Sequence, residues 1–215
     1  MAPRLFRGMG IVVEVLDLKD LMENGSPAMA LTRSDVLVVA AEKPREVSYT
    51  AQALAEGALN ASVKIFAVPG QGSITEGLTT LCCPQATSAA AALDLCLFAV
   101  AGFVGPGIIC TSLSDLQDIL EPAGPRVAVY GQAKDMHETW LQCTRRFLSW
   151  REFSHGHRVP SCAFILLAPR DMNFLDVGES LRLTYEGVPE GCLAISTAVV
   201  VPSHFGIVAV VPAAA

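Results

Sequence analysis

Charge is scarce in this chain and nowhere clustered. Only 17% of its 215 residues are Asp, Glu, Lys or Arg, the formal net charge is −6, and the fifteen basic residues are scattered. A nucleic-acid surface needs Lys and Arg arrayed to neutralise successive phosphates, so nucleic-acid binding is not expected. Long apolar runs are missing too. The longest, Leu95 to Ile109, is interrupted by Gly102, Gly105, Pro106 and Gly107, short of the roughly 20 residues that cross a bilayer. It reads as a buried helix and its exit loop. Nor is an export signal expected: Met9 to Leu16 is a short apolar stretch that contains Glu14 and has no small-residue cleavage site behind it. Metal spacing is absent. His155-Gly156-His157 is half a site without a third ligand and suits a surface loop, and His137-Glu138 lacks a histidine one turn on. The seven cysteines (82, 83, 96, 110, 143, 162 and 192) are an odd number without paired spacing. They suit buried thiols in a reducing cytoplasm, the expected location, although the vicinal Cys82-Cys83 could be redox-active.

What is abundant is apolar surface. Hydrophobic residues make up 52% of the chain and mean hydropathy is +0.44, enough for one large core or two tightly joined ones. The excess is consistent with surface shared in a homo-oligomer or hetero-oligomer, or with a compact sheet rich in Val, Ile and Ala.

Strand-like runs alternate with helical ones. Ile11–Val15, Asp35–Ala40 and Val63–Val68 read as strands, with helices over Asp17–Asn24 and from an N-cap at Ser48 to an end near Gly57 to Asn60. Strand, helix, strand in this order implies right-handed crossovers and a parallel sheet. Gln85 to Phe103 is the strongest helical run, apolar almost all round, and so expected to lie between layers. A short helix begins at Ser112 or Ser114. Arg126–Tyr130 is a strand, and Asp135–Trp150 has helical spacing. The last third gives a strand over Cys162–Leu167, a helix over Asn173–Leu181, and strands Cys192–Val201 and Gly206–Val211 joined as a hairpin through Pro202–Phe205. The expected class is α/β: a reduced Rossmann-like parallel part (1–84), a long central helix (85–104) and a smaller mixed-sheet C-terminal domain (105–215).

From Phe103-Val104-Gly105-Pro106-Gly107-Ile108-Ile109-Cys110 to Gly206–Val211 the order of elements resembles the C-terminal half of the FtsZ/tubulin family. The loop Pro106 to Leu116 is similar to that family's proline, glycine, two aliphatics, then Asn-x-Asp-x-x-Asp. Phe164 to Glu179 resembles its strand, polar turn and helix. The resemblance implies a GTP domain ahead of the central helix and assembly into filaments. The loop Cys110, Thr111, Ser112, Ser114 and Asp115 would lie at the contact with the next subunit.

The departures from the pattern carry the functional expectation. After the strand matching Val36–Ala40 the family has glycines whose bare N–H groups surround the triphosphate. Here the sequence is Ala41-Glu42-Lys43-Pro44-Arg45-Glu46-Val47, with two carboxylates, a proline and no glycine. In the catalytic loop the asparagine position is Cys110, the first aspartate is Ser112, and only Asp115 survives, a remnant whose plainer role is helix capping. GTP binding is therefore disfavoured and no cofactor or metal is expected. The leading expectation is a non-catalytic FtsZ/tubulin-like protein that associates with itself or modulates an FtsZ-type filament. One alternative is a small Rossmann-like ligand-binding protein or enzyme using Glu42, Lys43, Gly70, Gly72, Ser73 and Glu76; Gly70-Gln71-Gly72 lacks the third glycine of a dinucleotide fingerprint. Another is a purely structural homo-oligomer. Leu93, Leu97, Val100, Leu116, Ile119 and Leu120 suit either a subunit contact or the internal core.

Overall fold

Runs of Val, Ile, Leu and Ala without strict alternation make strands that are buried on both faces, which requires cover on both sides of a sheet. The computed structural model describes residues 13–15, 35–42, 60–70, 79–105, 109, 111–120, 126–133, 137–138, 161–186, 188, 190–201 and 205–212. Its strands are β1 (Val13–Val15), β2 (Val36–Ala40), β3 (Val63–Pro69), β4 (Thr79–Cys83), β5 (Arg126–Ala133), β6 (Ser161–Pro169), β7 (Leu193–Val201) and β8 (Phe205–Pro212). The described helices are α1 (Ala89–Val104), α2 (Leu113–Leu120) and α3 (Phe174–Glu186). All eight strands form one sheet in the order β1-β2-β3-β4-β5-β8-β6-β7.

The sheet has two halves of different character. β1 to β5 pair in parallel, with Val36 opposite Val63 and Val38 opposite Ile65, so the two strands expected to be adjacent and parallel are so. Beyond β5 the sheet is mixed. β8 runs antiparallel to both β5 and β6, and β7 is parallel to β6. The halves meet at β5, which pairs in parallel with β4 through Leu81–Arg126 and Cys82–Val127 and antiparallel with β8 on its other edge.

Alternation along each strand sorts the core into two clusters. Val36, Val38, Ile65, Ala67, Leu81 and Cys83 face α1 and α2, together with Ile165, Leu167 and Val208. Leu37, Val39, Phe66, Val68 and Cys82 face the other way, on the side where α3 contributes Val177 against Phe164 and Leu166. Cys82 and Cys83 therefore point to opposite faces, as neighbours in a strand must. Leu97, Val100, Leu116, Ile119 and Leu120 are buried within this core, with Leu93 packed against it. Among the described residues no helix is long and apolar enough to cross a membrane.

Three expectations need correcting. β7 and β8 do not form a hairpin: β7 pairs with β6, and β8 lies on the other edge of β6. The reason is β6 itself, buried from Ser161 to Ala168. So apolar a strand is stable only with partners on both edges; the β6-α3-β7 crossover supplies one and β8 the other. β4 has no counterpart among the expected strands, because Thr-Thr-Leu-Cys-Cys is short and carries no alternation. α3 runs on to Glu186, its last turns secured by Arg182, which pairs with Glu179 and Glu186 one turn to either side. The expected helices over Asp17–Asn24, from Ser48 and over most of Asp135–Trp150, and the His155–His157 loop, lie outside the described residues.

Candidate functional site at the strand ends and the helix starts

In parallel α/β sheets ligands bind beyond the carboxyl ends of the strands. Here that edge comprises Ala41 and Glu42 after β2, Pro69-Gly70 closing β3, and the turn from Cys83 to Ser88 that leads into α1. The edge is held by backbone bonds. Ala41 N–H donates to Ala67 O (3.4 Å) and Gly70 N–H to Cys83 O (3.0 Å). Gly70 has φ of +70°, a conformation that suits glycine at the turn. Gln85 clamps the turn to β5: its Nε2 donates to Tyr130 O (2.6 Å) and its Oε1 accepts from Tyr130 N–H (2.5 Å). In this way a side-chain amide extends the β4–β5 ladder past its last backbone pair. Cys83 beneath the turn is no nucleophile, since burial and then the neighbouring Cys82 push its thiol up to about 12.

The helix start is where the chemistry concentrates. The first N–H groups of an α-helix lack intrahelical partners and carry the positive end of its dipole. On α1, Ser88 Oγ accepts from Ala91 N–H (3.2 Å) as the N-cap. Ala89 N–H donates to Glu42 Oε1 at 2.8 Å, across 47 positions of sequence. A carboxylate of the chain thus occupies the place at the helix start where an anionic ligand would be held.

Asp115 behaves likewise at α2, but locally. Its Oδ2 accepts from both Ser112 N–H and Ser112 Oγ at 2.7 Å, and Ser112 Oγ accepts from Asp115 N–H at 3.3 Å. That is a reciprocal capping box. Thr111 turns inward, its Oγ1 donating to Phe103 O (3.0 Å), beside buried Thr197, whose Oγ1 donates to Gly102 O (3.0 Å). Ser112 and Ser114 are exposed. Cys110, Lys43, Gly72, Ser73 and Glu76 lie outside the described residues, so of the alternative ligand site Glu42 and Gly70 are placed here, at the ends of neighbouring strands. Gln85 and Ser88 were not singled out from sequence. Ser88 ahead of an alanine run was a readable capping signal, whereas the Gln85–Tyr130 clamp spans 45 positions and left none.

No family model matches the chain and no curated protein matches it. Solved structures do. The chain superposes on an FtsZ dimer from M. jannaschii, in an empty state, with TM-score 0.61 at 14% identity, covering 90% of this chain and 67% of that one. On a GTPγS-bound protofilament of CetZ2 from Haloferax volcanii the TM-score is 0.53 at 12% identity, covering 91% and 68%. For a CetZ from Methanosaeta thermophila it is 0.52 at 12%, covering 91% and 64%. The fold is that of FtsZ and CetZ. This chain realises it in about two thirds of their length, and at such identities the likeness is one of architecture.

Proposed function

We propose that this FtsZ-type chain acts by association, with itself or with a filament-forming FtsZ-type protein, and does not turn over GTP. The observation that carries the reading is the Glu42 carboxylate on the first N–H of α1. The turn after β2 is where the resemblance would place a glycine cradle around a triphosphate. A triphosphate there would have to displace a carboxylate already bonded to the helix start and then sit beside its charge. The groups present do not fit that ligand. Asp115 supports the same reading: a carboxylate committed to both the N–H and the hydroxyl of Ser112 is poorly placed to activate water across a subunit boundary.

Association has its own support. Solved structures of the same fold include an FtsZ dimer and a CetZ2 protofilament. On this chain Phe174 and Leu175 at the start of α3 are 80% and 84% exposed, and large apolar side chains presented together in this way favour contact with another surface. The decisive experiment mixes the purified chain with a filament-forming FtsZ and follows sedimentation and phosphate release, alongside direct titration with a fluorescent GTP analogue. The expected outcome is a changed sedimenting fraction, no phosphate release by the chain alone, and no saturable nucleotide binding below about 1 mM. Micromolar GTP affinity or steady turnover would overturn the reading. Phe174→Ser with Leu175→Ser should abolish the sedimentation effect while leaving circular dichroism unchanged.

A further inference from the structure

At the amino ends of β6 and β7, away from the edge that holds Glu42, two cysteines lie side by side. Cys162 is the second residue of β6 and Cys192 immediately precedes β7. In the parallel register Cys162 is opposite Ala194, so Cys192, two residues earlier, projects to the same face. Their sulfurs are 3.5 Å apart, within thiol hydrogen-bond range, and need approach by only about 1.5 Å to reach covalent distance. The two are unequal: Cys162 is fully buried and Cys192 is half-buried. A buried cation stands by them. Arg126 of β5 is 1% exposed and donates from Nη1 to Ser161 O at 3.2 Å, one residue before Cys162.

We propose that Cys192 and Cys162 form a dithiol that is reversibly oxidised to an intramolecular disulfide, with Cys192 as attacking thiol and Cys162 as resolving thiol. The oxidant is a low-molecular-weight disulfide, for which glutathione disulfide serves as the probe. The Cys192 thiolate attacks one sulfur of the probe; a bond forms to Cys192 Sγ, the S–S bond of the probe breaks, and glutathione thiolate leaves and is protonated. Cys162 then loses its proton to solvent and attacks Cys192 Sγ, expelling the second glutathione. Two protein thiols are oxidised, one disulfide is reduced to two thiols, and no further electron acceptor is needed.

The asymmetry suits these roles. The hydrogen bond from Cys162 holds the Cys192 thiol below its ordinary range; burial opposes this and the Arg126 guanidinium adds to it. The same hydrogen bond, then burial, pushes the Cys162 thiol up, so it stays protonated and waits. Cys83 and Cys96 are buried with raised thiols and do not compete. This inference does not depend on the assembly reading and survives its failure.

The test uses the full chain, reduced and then equilibrated with graded ratios of oxidised to reduced glutathione, acid-quenched, alkylated, digested and weighed. A linked peptide pair containing Cys162 and Cys192, reversed by dithiothreitol, is the expected product. Iodoacetamide at neutral pH should modify Cys192 at least about tenfold faster than Cys82, Cys83 or Cys96. Cys162→Ser should trap glutathione on Cys192, and Cys192→Ser should yield neither species. Because Cys192 is half-buried, Cys192→Ser is the variant expected to fold without difficulty, so it and the wild type suffice should Cys162→Ser misfold. A wild-type chain that keeps both thiols free in excess glutathione disulfide, or that carries glutathione on Cys192 without passing it to Cys162, would overturn the proposal.

Discussion

The two ends of α1 are fastened in different ways. Its start is held at the surface by hydrogen bonds that its first N–H groups donate to Ser88 Oγ and to a carboxylate contributed by the parallel half of the sheet. Its end is packed into the mixed half, where Gly102 meets Ile165 of β6 so closely that a Cβ added to the glycine would sit 2.5 Å from Cγ2 and 2.8 Å from Cγ1. Two threonine hydroxyls then bind the last-turn carbonyls. The buried end is thus fixed by shape, which tolerates little change, and the exposed start by charge and capping, which can be altered without loss of the fold. A helix fastened in this way lets its start be remodelled while its seat stays put.

The sharpest way to break the contrast is Gly102→Ala. Alanine is the better helix former by about 1 kcal/mol, but forcing a methyl against a fully buried, branched Ile165 should cost about 3 kcal/mol. The clash wins, and urea denaturation should show a net loss of about 2 kcal/mol. Ile165→Ala alone opens a cavity and is destabilising, yet with Gly102→Ala the two effects should be clearly less than additive. Additive losses would mean that the close approach is not what matters at this end.

Thr197→Val is the next largest. The residue is fully buried and its hydroxyl donates to Gly102 O, which is also approached by Thr111 Oγ1 at 3.3 Å. Because one partner remains, the carbonyl is not orphaned, and the expected loss is about 1 kcal/mol on thermal or chemical unfolding. Losing Thr111 as well, by Thr111→Val in the same chain, strips the carbonyl and should cost more than the two single changes together.

At the exposed start, Ser88→Ala removes an N-cap and should cost about 0.5–1 kcal/mol. Native-state hydrogen exchange would localise the loss to the first turn of α1, because the buried end does not depend on it.

This contrast also explains what could be read from sequence. The apolar strands, the long helix, the parallel pairing of β2 with β3 and the family-like order of the C-terminal elements follow from patterns a few residues long. So does the Ser112–Asp115 box, three residues apart. β8's place between β5 and β6 was not legible, because a short connection after β7 looks like a hairpin until one knows that β6 needs a partner on each edge. Nor could the Cys162–Cys192 approach be read, since it depends on the register Ser161–Leu193. The basic fact about Glu42 was half visible. A carboxylate in place of a glycine could be seen to oppose phosphate, but its partner, 47 residues on, could not be named.

Glu42→Gln isolates the smallest effect. Gln keeps an Oε1 that can accept from Ala89 N–H but removes the charge, so the change deletes the charge–dipole attraction and little else. For an exposed pair this is worth about 0.3 kcal/mol at low ionic strength and should fade above about 0.5 M salt, where the Debye length falls below the size of the site. Measured by denaturation at low and high salt, the gap between wild type and variant should close. Ser88→Ala, a neutral capping loss, should keep its gap at both. Equal salt dependence for the two would mean that Glu42 holds the helix start as a hydrogen-bond acceptor alone, and that its charge is not what excludes a phosphate there.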